Sequence, residues 1–253
     1  MTEPLLTARR ISKRFGHVHA LRDADFDVFP NEIVALIGDN GAGKSTLVKI
    51  LSGTLHPDAG EIWFEGRRVA IATPLAARHL GIETVYQDLA LAPELTPAAN
   101  LFLGREELRP GLLGKLGFLD NAKMRNRSKE ALARLGTGLQ DADTEVANLS
   151  GGQRQSVAVG RAITWASKVI FMDEPTAALG VVQAQKVLEL IRRVRDSGIS
   201  IVFISHNMPQ VLEVADRIEV LRLGKRVARF KAGEATVEDL IAAMTGALTQ
   251  EAA

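Results

Sequence analysis

A glycine-rich segment that directly follows a short apolar run constrains the fold more than any other feature of the sequence. The run "EIVALIG", which begins at Glu32, has the apolar and β-branched residues of a buried strand. The segment "GDNGAGKST" (residues 38–46) comes next, and "KSTLVKILSG", from Lys44, has the periodicity of a helix. A strand, a tight loop and a helix in this order predict an anion site, because loop N–H groups and the positive end of the helix dipole converge there.

The same segment satisfies the pattern G-x-x-x-x-G-K-[ST], which binds the phosphates of a nucleoside triphosphate. Glycines let the backbone approach phosphate oxygens, Lys44 supplies a cation to the β- and γ-phosphates, and the Ser45 hydroxyl is suited to Mg²⁺. The alternative is a glycine-rich turn with a surface lysine. The predicted phosphate-binding residues are Gly38, Asp39, Asn40, Gly41, Ala42, Gly43, Lys44, Ser45 and Thr46.

Further apolar runs alternate with helical patterns along the chain. The runs "ETVYQ", "KVIFMDE" and "ISIVFISH" are typical of buried strands, and helical patterns such as "VVQAQKVLELIRRVRDSG" lie between them. This alternation predicts an α/β fold with a largely parallel sheet that is buried on both faces. Antiparallel ribbons are predicted for three parts of the chain. They are the two N-terminal runs (residues 5–11 and 18–29), the stretch "EIWFEGRRVAI", which turns at Gly66, and the stretch "RIEVLRLGKRVARF", which turns at Gly224.

Polar residues stand at the ends of three of the buried runs. Asp173 and Glu174 end one run, His206 ends the next and Gln87 ends "ETVYQ". Ligands bind at the carboxyl edge of open parallel sheets. There Asp173 is placed to hold Mg²⁺, Glu174 to polarise the attacking water, and Gln87 to bind metal or water. His206 would orient the water or sense the terminal phosphate. Taken alone, the acidic pair before Pro175 is more typical of a helix N-cap, and His206 of a structural histidine.

The strand pattern is absent between residues 93 and 160, where "LTPAANLFLG" and "NAKMRNRSKEALARLG" have helical patterns. We predict a single domain over residues 1–253, with a nucleotide-binding α/β core (residues 1–92 and 161–253) and an inserted helical subdomain (residues 93–160). The second helical pattern is basic, but no aromatic residues interleave for base stacking. A solvated face is therefore favoured over a nucleic-acid site.

Composition excludes several classes of function. The 31 Lys and Arg against 30 Asp and Glu give a net charge of +1, so no whole-molecule attraction to nucleic acid is expected. The sequence has no cysteine, which excludes disulfides, thiolate metal sites and a catalytic thiol. No window approaches the ~20 apolar residues of a membrane span, and the first residues lack the apolar core of a secretion signal. A role at a membrane would be exercised from outside the bilayer.

The segment "NLSGGQRQSVAVGRA" (residues 148–162) places two adjacent glycines at an apparent helix start. Glycine inside a helix costs about 1 kcal/mol relative to alanine. One explanation is that Ser150 is an N-cap and that Gly151 and Gly152 belong to a loop. The other is that a ligand approaches this backbone so closely that no Cβ is tolerated.

The same segment resembles the signature of the ATP-binding cassette (ABC) ATPases. The motif "LSGGQ" (residues 149–153) stands downstream of Gln87 and upstream of "VIFMDE", as it does in that family, and the resemblance covers nearly the whole chain. It implies the ABC ATPase fold, with a P-loop NTPase core, and ATP and Mg²⁺ as ligands. It also implies that Phe15, where tyrosine is commoner, stacks on adenine. The implied metal ligands are Ser45, Gln87 and Asp173.

The resemblance further implies a head-to-tail dimer across two ATP molecules, in which the signature of one copy binds the γ-phosphate of ATP held by the other. The residues that would make this contact are Ser150, Gly151, Gly152 and Gln153. Most ABC ATPases carry S-x-L-D after the strand that ends in the catalytic glutamate, and its aspartate helps to couple the two sites. Here Gly180 stands at that position.

Longer stretches are similar to the cassettes of bacterial simple-sugar importers, and "MDEPTAALGV" is similar to the fructose-type members. This likeness implies an ATPase subunit that powers import of a simple sugar from the cytoplasmic face of the inner (cell) membrane. The implied partners are a second copy, transmembrane permease subunits and, indirectly, a periplasmic or secreted solute-binding protein, without nucleic acid. Alternatives are an ABC ATPase that serves another solute, or a non-transport or regulatory ABC protein.

Overall fold

The computed structural model describes residues 3–134, 143–177 and 179–248. One sheet in this part of the chain is antiparallel, as the N-terminal ribbons predict. Its strands are β1 (Leu6–Phe15), β2 (Val18–Val28), β4 (Ala59–Phe64) and β5 (Arg67–Val69). They lie in the order β2-β1-β4-β5. The turn between the last two contains Gly66, where the sequence predicts it.

The second sheet is mostly parallel and carries the carboxyl edge at which the polar residues were expected. Its strands are β3 (Ile33–Ile37), β6 (Ile82–Val85), β7 (Val169–Asp173), β8 (Ser200–Ile204), β9 (Arg217–Arg222) and β10 (Lys225–Lys231). They lie in the order β10-β9-β3-β8-β7-β6, and the β9–β10 pair is the antiparallel one. Every residue of β3 and β8 is buried, which explains why both strands are apolar apart from Ser200.

Helices connect and cover the strands. Within the described residues they are α1 (Lys44–Leu51), α2 (Pro74–His79), α3 (Pro97–Phe102), α4 (Leu112–Lys115), α5 (Asn121–Arg134), α6 (Gly151–Trp165), α7 (Val181–Asp196), α8 (Met208–Val214) and α9 (Val237–Thr245). Residues at both ends of α9 fix its limits: Thr236 and Asp239 form a capping box, and Gly246 closes the helix in the left-handed conformation. No helix in the described part of the chain is both long enough and apolar enough to cross a bilayer.

The α/β fold with an antiparallel N-terminal part is therefore confirmed, and two boundaries differ from expectation. Strand β1 continues to Phe15 instead of ending at Ile11. The prediction that Gln87 ends a strand is wrong: the ladder between β6 and β7 ends at the pair Val85–Met172, and Gln87 lies in the turn that follows.

Buried residues between positions 93 and 160 form a small apolar cluster apart from the main core. Phe102 and Val157 belong to this cluster, whereas Ala158 and Val159 pack into the main core under the parallel sheet. Helix α6 therefore contributes to both and runs through residue 160. The division into a core (residues 1–92 and 161–253) and a helical subdomain (residues 93–160) stays a prediction.

Candidate active site

The glycine-rich loop joins the buried strand β3 to helix α1, whose N-cap is Gly43. Gly43 has a φ of 104°, and a Cβ added to it would lie 2.6 Å from the Ala20 carbonyl oxygen. A Cβ at Gly38 would lie 2.2 Å from the Leu221 carbonyl oxygen. Both neighbours are backbone atoms that cannot move aside, so these two positions accept only glycine.

Lys44 folds back over this loop instead of extending into solvent. Its Nζ donates hydrogen bonds to the carbonyl oxygens of Gly38 at 2.7 Å and Asp39 at 3.1 Å. Burial lowers the pKa of Lys44, and the nearby charges of Glu174 and Asp173 act in the opposite direction. The alternative of a turn with a surface lysine does not describe this arrangement, because the ammonium faces both the loop and the carboxylates.

Three side chains from separate elements border one cavity of about 580 Å³ beside the loop. Ser45 comes from the first turn of α1, Gln87 from the turn after β6, and Asp173 from the end of β7. Their hydroxyl, amide and carboxylate oxygens are the hard ligands that Mg²⁺ prefers. The donor set therefore fits Mg²⁺.

Glu174 and His206 meet beside this cavity, where β7 and β8 end. The Glu174 carboxylate lies 2.8 Å from Nδ1 of His206, and the Glu174 N–H donates to the Ile204 carbonyl oxygen at 3.0 Å. The Glu174 side chain is 14% exposed and that of His206 is 72% exposed. Glu174 also has a φ of 51°, which is uncommon for a residue other than glycine and is typical of functional sites.

These contacts decide between the alternatives for the two residues. The acidic pair is not a helix N-cap, because α7 begins at Val181 and its N-cap is Gly180. His206 is not buried in the core, and it pairs with the carboxylate that would act on water. The pair can accept and pass a proton at an exposed edge, which is the chemistry of assisted hydrolysis.

Asp173 is held in an environment that disfavours its charge. Burial raises the pKa of Asp173, the neighbouring Glu174 carboxylate raises it further, and the hydrogen bond with the Ser45 side chain and the charges of Lys44 and Lys49 act against these effects. A carboxyl group whose pKa is raised on folding holds its proton more tightly in the folded chain. The folded chain therefore loses stability as the pH rises from 3.8, the ordinary value, through the raised pKa.

We expect Asp173→Asn to raise the thermal unfolding midpoint of the chain at pH 8, without nucleotide and with EDTA present. The amide removes a buried charge beside Glu174, so the advantage should shrink as the pH is lowered towards 4. Glu130→Gln, an acid-to-amide change on the exposed face of α5, is the matched control and should show neither effect. A lower midpoint for Asp173→Asn at pH 8 would contradict the assigned environment.

The glycine pair lies inside helix α6. Ser150 is the N-cap and forms a capping box: its Oγ accepts from the Gln153 N–H at 3.3 Å, and its own N–H donates to Gln153 Oε1 at 2.9 Å. Gly151 and Gly152 are the first two helical residues, so the first alternative is right about the Ser150 N-cap and wrong about a loop. An added Cβ at Gly152 would lie 3.1 Å from Cγ of Gln183, a flexible side chain. Neighbours within the chain therefore give only a weak reason for glycine at this position.

Gly151 and Phe15 are two further predicted positions that the structure describes. Gly151 lines a second cavity of about 520 Å³ together with Gln87 and Glu174. Phe15 is half exposed at the end of β1, and the Lys13 ammonium lies 5.8 Å above its ring. Strand β2, which pairs with β1 at Phe15, is the strand that brings the Ala20 carbonyl against the loop. The aromatic ring is thus on the hairpin that borders the phosphate-binding loop.

Four residues of the first cavity were not among the predicted ones: Lys49, Tyr86, Asp88 and Ala90. Lys49 lines it from α1, and Tyr86 lines it from the segment before Gln87. Lys49 follows Ser45 by one helical turn, so the helical period was a signal that would have found it. The Tyr86 hydroxyl lies 2.9 Å from the Thr54 hydroxyl, a contact that no local pattern indicates.

Comparisons with known proteins identify the family of the chain. The family model described as "ABC transporter" matches residues 21–177. The fructose import ATP-binding protein of Rhizobium meliloti is 54% identical over 247 residues, which are 97% of this chain and 95% of that protein. The xylose/arabinose import ATP-binding protein of Sulfolobus acidocaldarius is 49% identical, over 95% of this chain and 94% of that protein.

Solved structures show the same fold. A nucleotide-free ATP-binding cassette from an ABC transporter superposes with a TM-score of 0.78 at 27% identity, over 96% of each chain. A cassette of an ABC transporter in its ADP conformation gives the same TM-score, identity and coverage.

Proposed function

The chain belongs to the ABC transporter family as an ATP-binding cassette, and from that premise we propose that it hydrolyses ATP to power a membrane importer for a simple sugar. One observation carries the catalytic part of the proposal. Ser45, Gln87 and Asp173 border one cavity, and the Glu174–His206 pair stands next to it. Oxygen ligands for a metal and a base for water are thus available within reach of the phosphate-binding loop.

We assign the steps of hydrolysis to the residues as follows. Residues 38–46 hold the phosphates, and the Lys44 ammonium exchanges its loop carbonyl partners for oxygens of the β- and γ-phosphates. Glu174 takes a proton from the attacking water while the water oxygen bonds to the γ-phosphorus. The bond between the γ-phosphorus and the oxygen that bridges it to the β-phosphate breaks, and ADP is released. His206 holds the Glu174 carboxylate in place.

Ser45, Gln87 and Asp173 would hold Mg²⁺, which when bound neutralises charge on the phosphates. Phe15 would stack on the adenine. We place these roles on the core of residues 1–92 and 161–253, with residues 93–160 as the helical subdomain. The helix start at Gly151 and Gly152 leaves N–H groups without partners inside the helix, which favours a phosphate there.

That phosphate, in our proposal, belongs to ATP bound by a second copy in a head-to-tail dimer. The contact would be made by Ser150, Gly151, Gly152 and Gln153. The support is that little within the chain itself requires glycine at position 152, whereas a phosphate against the helix start would. Gly180 supplies no carboxylate for communication between the two sites.

We propose import of a simple sugar because of what the relatives are named for. The proteins that share 54% and 49% identity with almost the whole chain are named for import of fructose and of xylose/arabinose. A ribose import ATP-binding protein of Rubrobacter xylanophilus is 42% identical over 98% of this chain, although the match covers 48% of that protein. The solute-binding protein would act on the permease from the far side of the membrane.

A leucine-rich hairpin in the helical subdomain supports a permease as partner. The Arg109 N–H donates to the Phe118 carbonyl at 2.9 Å, and α4 forms the tip, where Leu112 is 73% and Leu116 66% exposed. Residues 108–119 contain two cations and no carboxylate. Apolar exposure of this kind marks an interaction surface. We propose that a cytoplasmic segment of the permease, with apolar and acidic side chains, covers this hairpin and holds the chain at the cytoplasmic face of the membrane.

The double variant Leu112→Ser/Leu116→Ser should therefore reduce by about tenfold the amount of chain retained by membranes that contain the co-expressed permease, because two apolar anchors are lost. Its ATP affinity should be unchanged. Ile241→Ser, on exposed α9, is the matched control and should be retained normally. Equal retention of both variants would contradict the docking surface.

The identity of the transported solute can be tested with the same membranes. They are prepared as sealed vesicles, with ATP on the membrane face to which the chain binds. We expect ATP-dependent uptake of fructose, xylose, arabinose or ribose in the presence of the binding protein. Uptake of none of the four, with ATP hydrolysis intact, would favour the alternative that the chain serves another solute.

A further inference from the structure

Arg161, near the end of α6, reaches across to the segment that carries Gln87. Its Nη1 donates to the Ala90 carbonyl oxygen at 2.7 Å, and its Nη2 donates to the Leu89 carbonyl oxygen at 3.0 Å. The two acceptors are consecutive peptide oxygens. A planar guanidinium can serve both at once, whereas a lysine ammonium is a single point charge.

The backbone that Arg161 holds is in an uncommon conformation. Leu89 and Ala90 have φ values of 59° and 45°, and each left-handed residue of this kind costs about 1–3 kcal/mol unless its surroundings hold it. The Leu89 N–H donates to the Tyr86 carbonyl at 2.9 Å, so Gln87 is a central residue of the turn that these atoms close. Leu89 thus closes the turn that contains Gln87 and is also the first residue of the left-handed pair.

Arg161 is half-buried and serves neutral acceptors. Burial lowers its pKa, and the charges of Arg78 and Arg105 lower it further against those of Glu83 and Asp88. Among the described residues no carboxylate lies within ion-pair distance of its guanidinium. The guanidinium gives up part of its hydration and gains hydrogen bonds to two backbone carbonyls, not an ion pair. Its role is therefore to fix the position of that backbone.

We propose that Arg161 is a positioning residue that ties the orientation of Gln87 to the helix that begins at Gly151. Helix α6 is continuous from the signature to Arg161, a span of about 15 Å for ten residues at 1.5 Å each. A phosphate that shifts the start of this helix moves the carbonyls of Leu89 and Ala90 with it. Through Arg161, ATP bound by the second copy would therefore change the orientation of Gln87, which binds metal or water in the site of the same chain as Arg161. This role rests on the proposed function for Gln87 and the signature.

Two variants separate geometry from charge. Arg161→Met keeps most of the apolar stem and removes every N–H donor of the side chain. Arg161→Lys keeps the positive charge but loses the planar guanidinium that donates to two carbonyls at once. Arg193→Met is the matched control, because Arg193 on α7 is exposed and lies 3.7 Å from Glu189, its i−4 neighbour. The measurements are ATP affinity in EDTA, phosphate release as a function of Mg²⁺ and ATP, and amide hydrogen exchange of residues 86–91.

Both Arg161 variants should bind ATP in EDTA within about twofold of the unchanged chain, because the phosphate-binding loop is not touched. Their kcat should fall about tenfold, their half-saturating Mg²⁺ concentration should rise about tenfold, and residues 86–91 should exchange faster. Lysine should not rescue the methionine variant.

Full activity of Arg161→Lys would overturn the proposal, since charge alone would then suffice. Normal Mg²⁺ dependence together with a lower unfolding midpoint would also overturn it, since Arg161 would then be only structural. Failure of the unchanged chain to bind or hydrolyse ATP would instead count against the proposed function. In that case exchange of residues 86–91 in Arg161→Met still decides whether the arginine holds the turn.

Discussion

Lys44→Ala should lower the affinity for ATP about 100-fold and reduce hydrolysis to background. The Lys44 ammonium is poised over the loop by the carbonyls of Gly38 and Asp39, at 2.7 and 3.1 Å, and two charge-assisted hydrogen bonds to phosphate would replace them. Hydrogen bonds to charged groups contribute about 1.5–3 kcal/mol each, and 1.4 kcal/mol is a factor of ten in affinity. Calorimetry with ATP measures the loss directly.

The control for this experiment is Lys231→Ala, because Lys231 is exposed on β10 and pairs only weakly, at 3.4 Å, with Glu234. It should bind ATP normally. Lys44→Ala should unfold within about 3 °C of the unchanged chain, since a partly buried ammonium gives the folded state little stability. Unchanged ATP affinity in a folded Lys44→Ala protein would show that this loop does not hold the phosphates.

The sequence was most informative where a feature is local. The buried strand, the loop and helix α1 follow one another without interruption, so their composition alone predicted them. Apolar runs likewise predicted β7 and β8, because strands buried on both faces cannot alternate with polar residues. The capping box of α9 is local in the same sense, because it forms within four consecutive residues.

Features that depend on distant contacts were missed or misplaced. Gln87 was assigned to the end of a strand because nothing in "ETVYQ" shows that the partner ladder stops at Val85. The contact of Arg161 with Leu89 and Ala90 joins positions more than 70 apart in the chain, and its acceptors are carbonyls that every residue possesses. No residue type signals such a contact. The left-handed conformation of Glu174 also comes from the surrounding fold, since glutamate does not favour it.

Glu174→Gln should reduce the rate of ATP hydrolysis by about 10²–10⁴-fold, the usual contribution of a general base, while ATP still binds. The amide keeps the size of the side chain but cannot take the proton of water. ATP would then persist between two copies, and the variant should shift from monomer towards dimer when ATP is added. Light scattering during size-exclusion chromatography, with EDTA present to limit residual hydrolysis, measures this shift.

Two further changes in the Glu174→Gln background test what the dimer is made of. Gly151→Trp should abolish the shift, because the indole would occupy the space at the helix start that we assign to the second copy's phosphate. Gly233→Trp is the matched control, since an added Cβ at Gly233 meets no atom within 4 Å.

Gly180→Asp should strengthen the dimer, because it restores the carboxylate that most ABC ATPases carry there and adds a side-chain N-cap to α7. If the Glu174→Gln/Gly180→Asp protein binds ATP and remains a monomer at high ATP concentration, the signature does not meet a second copy's nucleotide, and the glycine pair needs another explanation.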